Sequence, residues 1–232
     1  MKVGVIGAGK IGGTLARRLV ALGHEVALAN SRGPETLRGL TAEIGARPVT
    51  ATEAARSGEI VILAVPERAV MDLPKDLFDG VPNDVVVIDT GNYYSARDDR
   101  IAAIEEGQIG SAWVAEQVGR PVIKAFNNIV FKSLLEKGRP AGAAGRIALP
   151  VAGDAPFGRA KVMRLVEALG FDAVDAGSLA ESWRQQPGTP SYVQDFDAPR
   201  LKAALAGAVR TRIPEYRRAA NDATAAYWAS KV

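Results

Sequence analysis

Lys2-Val-Gly-Val-Ile6 runs directly into Gly7-Ala-Gly9-Lys-Ile-Gly12. A strand-like apolar run precedes a GxGxxG, and Ile11, Leu15 and Leu19 follow at helical spacing. In the order strand, glycine turn, helix, the motif is a dinucleotide-binding fingerprint. Gly7 permits the tight turn. Gly9 lets backbone approach a pyrophosphate, which a Cβ would block. Gly12 lets the helix lie close to the strand. The pyrophosphate then faces unpaired N–H groups and the positive end of the helix dipole.

The second strand, Glu25-Val-Ala-Leu-Ala29, ends in Asn30-Ser31-Arg32. A chain that prefers NAD usually places Asp or Glu here, on the ribose 2′-OH. No carboxylate stands at this point to repel a phosphate. Ser31 can donate a hydrogen bond and Arg32 can pair with a dianion through its planar fork. The expectation is a 2′-phosphate site, hence NADP(H), against the alternative of a helix cap beside a solvated arginine.

The chain of 232 residues is 47% hydrophobic and 24% charged, ordinary globular composition with ample length for a core. Its net charge is +3, unevenly placed: residues 199–232 hold seven Lys/Arg against two Asp/Glu. No nucleic-acid reading motif accompanies that basic tail, so an anionic small ligand or a partner subunit is expected rather than nucleic acid. There is no cysteine, which excludes disulfides and thiol catalysis. No apolar run is long enough for a membrane span, so no membrane partner is expected and the cytoplasm is the default location.

Apolar runs suited to parallel strands are Val3–Ile6, Val26–Ala29, Ile60–Val65, Val85–Ile88 and Pro121–Ala125, with Ile147–Val151 and Ala173–Val174 weaker. Helical patterns alternate with them. The spacing predicts an α/β fold: a doubly wound, Rossmann-type parallel sheet over residues 1–176, with a small C-terminal helical and loop part over 177–232. In the tail, Leu201, Leu205, Val209 and Ile213 form a near-helical apolar stripe, with Tyr227-Trp228 beyond.

Ligands on open parallel sheets bind beyond the carboxyl ends of the strands. Three clusters lie there: Ala64-Val65-Pro66, which can pass beneath a nicotinamide ribose; Asp89-Thr-Gly-Asn-Tyr-Tyr94; and Lys124-Ala-Phe-Asn-Asn128. Asp89 reads as a brace for the loop after its strand. Asn127 could hydrogen-bond a carboxamide or a turn. His24, the single histidine, sits far from these ends and reads as structural. No metal-ligand spacing exists, and no Ser–Tyr–Lys arrangement is present.

Gly7–Gly12, Asn30-Ser31-Arg32, Val61–Pro66, Asp89–Tyr93, Lys124–Asn127, Val151–Asp154 and Phe171–Ser178 together resemble the F420-dependent NADP reductase family, over residues 1 to about 181. The resemblance implies hydride transfer between NADP(H) and a deazaflavin, and a C-terminal part that closes the cleft and helps form a homodimer. It implies that Gly9, Lys10 and Ile11 line the pyrophosphate, and that Ser31 and Arg32 hold the 2′-phosphate. Val65, Pro66, Ala125 and Asn127 would flank the nicotinamide, Asn127 as a positioning residue. Glu181–Tyr192 and the basic tail depart from the family pattern.

The leading expectation is an NADP-dependent oxidoreductase acting on a flavin-like or F420-type small-molecule acceptor. Face-to-face hydride transfer needs positioning more than acid–base chemistry. Two alternatives are an NADPH-dependent carbonyl or imine reductase, with Tyr93, Tyr192 or an Asp as proton donor, and a non-catalytic NADP sensor.

Overall fold

The computed structural model describes the backbone of residues 1–229 and the side chains of residues 1–226. The Tyr227 and Trp228 side chains of the tail stripe lie outside the described residues. The chain runs β1 (Lys2–Ile6), α1 (Lys10–Ala21), β2 (Glu25–Ala29), α2 (Arg38–Ile44), β3 (Arg47–Pro48), α3 (Ala51–Arg56), β4 (Ile60–Leu63), α4 (Glu67–Val70) and β5 (Val86–Asp89). It continues through α5 (Ser95–Asp98), α6 (Ala102–Glu105), α7 (Gly110–Val118), β6 (Val122–Lys124), α8 (Phe131–Glu136), β7 (Ala148–Val151), α9 (Pro156–Ala168) and β8 (Asp172–Asp175). The last helices are α10 (Ala198–Ala206) and α11 (Ile213–Ala229).

Six strands form one parallel sheet in the order β3-β2-β1-β4-β5-β6. This is the doubly wound Rossmann arrangement, with the strand order reversing beside β1. Side chains alternate across the sheet. Val3, Val5, Val26, Leu28, Ile60 and Ile62 face α1, α8 and α9. Ile6, Ala27, Ala29, Val61 and Leu63 face α3, α4 and α7. Both faces are covered, which is why these strands read as unbroken apolar runs. Each fully buried Ile or Leu contributes roughly 1.5–3 kcal/mol to holding the layers together.

The two weaker strand candidates do not extend this sheet. β7 and β8 pair only with each other, and a single antiparallel bridge between Lys124 and Ala152 ties them to β6. α10 packs on that small sheet, burying Leu201 and Leu205 with Ala148 and Val174. The tail stripe is therefore split: half lies inside the chain, whereas Val209 remains exposed. Two of the four residues behind the expected subunit contact are thus already covered.

The sequence patterns passed over β3 and α3. β3 is two residues long, too short for periodicity. α3 carries a capping box that was there to be read: the Thr50 hydroxyl accepts from the Glu53 N–H at 3.2 Å, and the Thr50 N–H donates to Glu53 at 2.8 Å.

Candidate functional site

The glycine loop has the geometry of an anion cradle. Gly7 stands at φ +110°, and a Cβ there would lie 2.3 Å from the Ala64 carbonyl oxygen. A Cβ on Gly12 would lie 1.9 Å from the Gly7 carbonyl oxygen, so the close approach of α1 to β1 requires glycine. Gly9 differs, because a Cβ there would meet nothing within 4 Å. Protein packing does not demand glycine at that position, and the space above it is open. Gly9 caps α1 without a side-chain bond, and the first turn holds no acidic residue. The turn's N–H groups and dipole thus face the cleft without a competing carboxylate.

The cleft of about 720 Å³ beside this loop is lined by Gly7, Gly9, Asn30, Ser31, Arg32, Ala64, Val65 and Pro66, all expected from sequence. Lys10, Ile11 and Gly12 form the adjoining first turn of α1. Lys10 lies over the Phe131 ring, 5.2 Å from its centroid. Asn30 shapes the turn after β2: its side-chain oxygen accepts from the Arg32 N–H at 3.0 Å, and its amide donates to Thr36 at 2.9 Å. Ser31 and Arg32 are exposed, with no ion pair among the described residues. Ala51, Ala69, Asp72, Leu73 and Pro74 also line the cleft and were not anticipated. They come from α3 and the segment around α4, whose place against the loop follows only from packing.

Ala125 and Asn127 are not part of this lining. Ala125 is fully buried, and Asn127 is 3% exposed. The Asn127 amide donates to the Asn92 side chain at 3.1 Å and to the Gln185 carbonyl at 2.8 Å, while its oxygen accepts from Gln185 at 2.9 Å. Asn92 in turn donates to the Asn127 carbonyl at 2.7 Å. Asn127 thereby fastens the C-terminal segment to the ends of β5 and β6, with Phe126 before it held at φ +61°. Of the two readings of Asn127, the structural one describes these contacts.

Lys124 and Asp89, the last residues of β6 and β5, form a buried ion pair at 2.9 Å. Lys124 also donates to the Gly91 carbonyl, and Asp89 accepts from the Gly91 N–H at 2.7 Å. Asp89 is therefore the expected brace. Next to the pair lies Glu67, at the start of α4 and 1% exposed. Burial is the main cause that pushes its pKa up to about 8, with Asp89 and Asp98 adding to the shift and Lys124 and Arg97 opposing it. Glu67 accepts from Arg97 at 3.3 Å and lines a second, smaller cavity with Gly91, Lys124 and Trp183. The sequence hid Glu67, since a glutamate opening a helix is ordinarily a solvated dipole partner.

The tyrosines considered as proton donors are engaged. The Tyr93 hydroxyl donates to Glu105 at 2.8 Å and accepts from the Ile101 N–H at 3.2 Å. Its pKa is raised to about 12, chiefly by burial. Tyr192 is hydrogen-bonded to Tyr94, and burial pushes its pKa well above the usual phenol value.

Residues 2–93 match the family model described as NADP oxidoreductase, coenzyme F420-dependent. YjhV of Escherichia coli K12 is 48% identical over 99 residues, which are 41% of this chain and 65% of that protein. The chain is also 31% identical to SMa0349 of Sinorhizobium meliloti, over 84% of this chain and 95% of that structure, with a TM-score of 0.71. Residues 2–93 thus carry the pattern of the F420-dependent NADP oxidoreductase family, and the chain as a whole is similar to SMa0349. A structure from Arthrobacter sp. FB24, provisionally assigned as an F420-dependent NADP reductase, shares the fold at a TM-score of 0.63 and 22% identity. It matches 78% of this chain and 87% of that one.

NADP(H) is the cofactor of the family, and the loop fits it: a cradle that a Cβ would fill, a helix N-terminus without an acidic residue in its first turn, and an arginine where NAD enzymes carry a carboxylate. The segment after β8 closes the second cavity, through Ser182, Trp183, Gln186 and Pro187.

Proposed function

We propose that this chain transfers a hydride between NADP(H) and a planar, flavin-like or deazaflavin acceptor. The observation that carries the reading is the chemistry of the cleft lining. It offers backbone amides, the Arg32 cation, apolar walls from Ile6, Val65, Pro66 and Leu73, and one carboxylate, Asp72. Among the described residues its lining holds no phenol, imidazole or ammonium. Reduction of a carbonyl leaves an alkoxide that wants a proton donor, whereas a conjugated ring spreads the charge. When bound, NADPH supplies the hydride. The glycine loop and the first turn of α1 hold its pyrophosphate, Ser31 and Arg32 its 2′-phosphate, and Val65–Pro66 a wall against which the reacting ring is oriented.

Glu67 supports a second reading, a carbonyl or imine reductase, because it keeps a proton at neutral pH. It faces the smaller cavity rather than the cleft, so the flavin-type acceptor is preferred.

The test is NADPH oxidation by the purified chain with F420, FMN, FAD and riboflavin, against a panel of small ketones and imines. Turnover with a ring acceptor that survives Tyr192→Phe and Glu67→Gln is the expected result. Turnover confined to carbonyls or imines, and lost in Glu67→Gln, would replace it with the second reading. Tight NADPH binding without turnover of any acceptor would point to a sensor.

A further inference from the structure

The smaller cavity lies beyond the carboxyl ends of β5 and β6, between α7 and the segment Leu179–Gln185 with the residues that follow it. It shares no lining residue with the NADP cleft. Its volume is about 30 Å³, measured to the centres of water-sized atoms, which is room for two or three heavy atoms. Four of the eight buried polar atoms without a hydrogen-bond partner belong to residues lining it: Ser111 Oγ, Ser182 Oγ, Trp183 Nε1 and Gln186 Nε2. Ser111, Ser182 and Trp183 are each at most 3% exposed. Leaving such groups unpaired is costly, and natural chains rarely gather them in one place without a ligand or ordered water to bond them.

Their chemistry is one-sided. The indole N–H and the glutamine amide nitrogen can only donate, and the two hydroxyls can turn to donate. Lys124 and Arg217 add positive charge to the wall. Lys124 is balanced by Asp89, and Arg217 lies 4.0 Å from Glu105. The groups that face Glu67 are Lys124, Asp89, Arg97, Asp98, Tyr94 and Tyr192. With its proton in place, Glu67 is a further donor and repels no anion.

We propose that this cavity binds a small oxyanion of carboxylate type, held by Ser111, Ser182, the Trp183 indole and the Gln186 amide beside the Glu67 carboxyl. The site is separate from the NADP cleft and does not rest on which acceptor the cleft serves.

The experiment is calorimetric titration of the full chain with formate near pH 6.5, with benzoate as a size control. Saturable one-site formate binding is expected, and no heat from benzoate. Ser182→Ala and Gln186→Leu should each weaken formate at least tenfold while leaving the melting temperature unchanged, because neither atom has a protein partner to lose. Near pH 9 the unaltered chain should bind formate at least tenfold more weakly, while Glu67→Gln, which keeps a donor, should bind alike at both values. Saturating NADP+ should change the formate affinity less than twofold. Absence of saturable binding, binding that neither Ser182→Ala nor Gln186→Leu weakens, or competition with NADP+ would overturn the proposal.

Discussion

The two ends of the crevice are built on different principles. At the glycine-loop end the functional atoms are backbone N–H groups and exposed, unpaired side chains, Ser31 and Arg32, all within the first 32 residues. At the ends of β5 and β6 the groups that brace the strand ends, Asp89, Lys124, Asn92 and Asn127, are mutually bonded to partners drawn from distant parts of the chain. Asn127 meets Gln185 across 58 positions, and Lys124 meets Asp89 across 35. One end is open, with little internal satisfaction; the other is largely pre-assembled and holds its charges in pairs. Backbone-built sites demand residue types at fixed short spacing. Side-chain networks demand only that the fold bring partners together.

The sharpest way to break the comparison is to place the same methyl group at two glycines of the loop. At Gly12 the new Cβ meets backbone that cannot move aside, and Gly12→Ala should cost about 3 kcal/mol or more of stability. At Gly9 it meets no protein, and φ of −74° suits alanine. Gly9→Ala should keep its stability within about 1 kcal/mol and lose at least about tenfold in NADPH affinity, or 1.4 kcal/mol. Thermal unfolding and NADPH titration of both variants read the difference. A Gly9→Ala protein that binds NADPH as tightly as the unaltered chain would mean that no ligand approaches there.

This division also explains what could be read in advance. Five strands of the six-stranded sheet and the glycine loop were legible because each rests on local periodicity or fixed spacing, whereas β3 is too short to show a pattern. β7 and β8 looked like further strands of the main sheet, since an apolar run does not say which neighbour it pairs with. Leu201 and Leu205 read as a stripe to be buried between subunits, since helical spacing does not say whether the covering surface lies in the same chain. Ala125 and Asn127 fell at the right strand end but point into packing. Glu67 was invisible because its unusual proton affinity comes from burial by segments far along the chain.

Glu67 offers the next test, at the pre-assembled end. Its pKa rises from an ordinary carboxylate value to about 8 on folding. Between those two values the folded chain holds a proton that the unfolded chain does not. This contribution to stability is therefore full at low pH, falls as pH rises through that window, and is gone above about pH 8. The slope should approach about 1.4 kcal/mol per pH unit near pH 6–7. His24, whose pKa is pushed down by burial and by the N-terminal ammonium, acts in the opposite sense, so the readout is the difference between the unaltered chain and Glu67→Gln. Denaturant unfolding of both proteins at several pH values measures it. Parallel pH profiles would mean that Glu67 is ionised in the fold.

The smallest effect belongs to the open end. Arg32 is exposed and makes no ion pair among the described residues, so its replacement costs the fold little. Its role is to discriminate between two dinucleotides that differ by one phosphate. A guanidinium on a phosphate dianion in a partly solvated site contributes a bidentate, charge-assisted contact rather than a buried pair. NADPH should therefore bind at least about tenfold more tightly than NADH, about 1.4 kcal/mol. Arg32→Ala should remove most of that gap by weakening NADPH alone, since NADH has no group there to lose. Raised salt should narrow the gap in the unaltered chain as well, because the contact is screened. Dissociation constants for both dinucleotides, at low and high salt, give four numbers for each protein. Equal affinities in the unaltered chain would remove the 2′-phosphate site. A gap that persists in Arg32→Ala would transfer the discrimination to Ser31 and the backbone of the Asn30 turn.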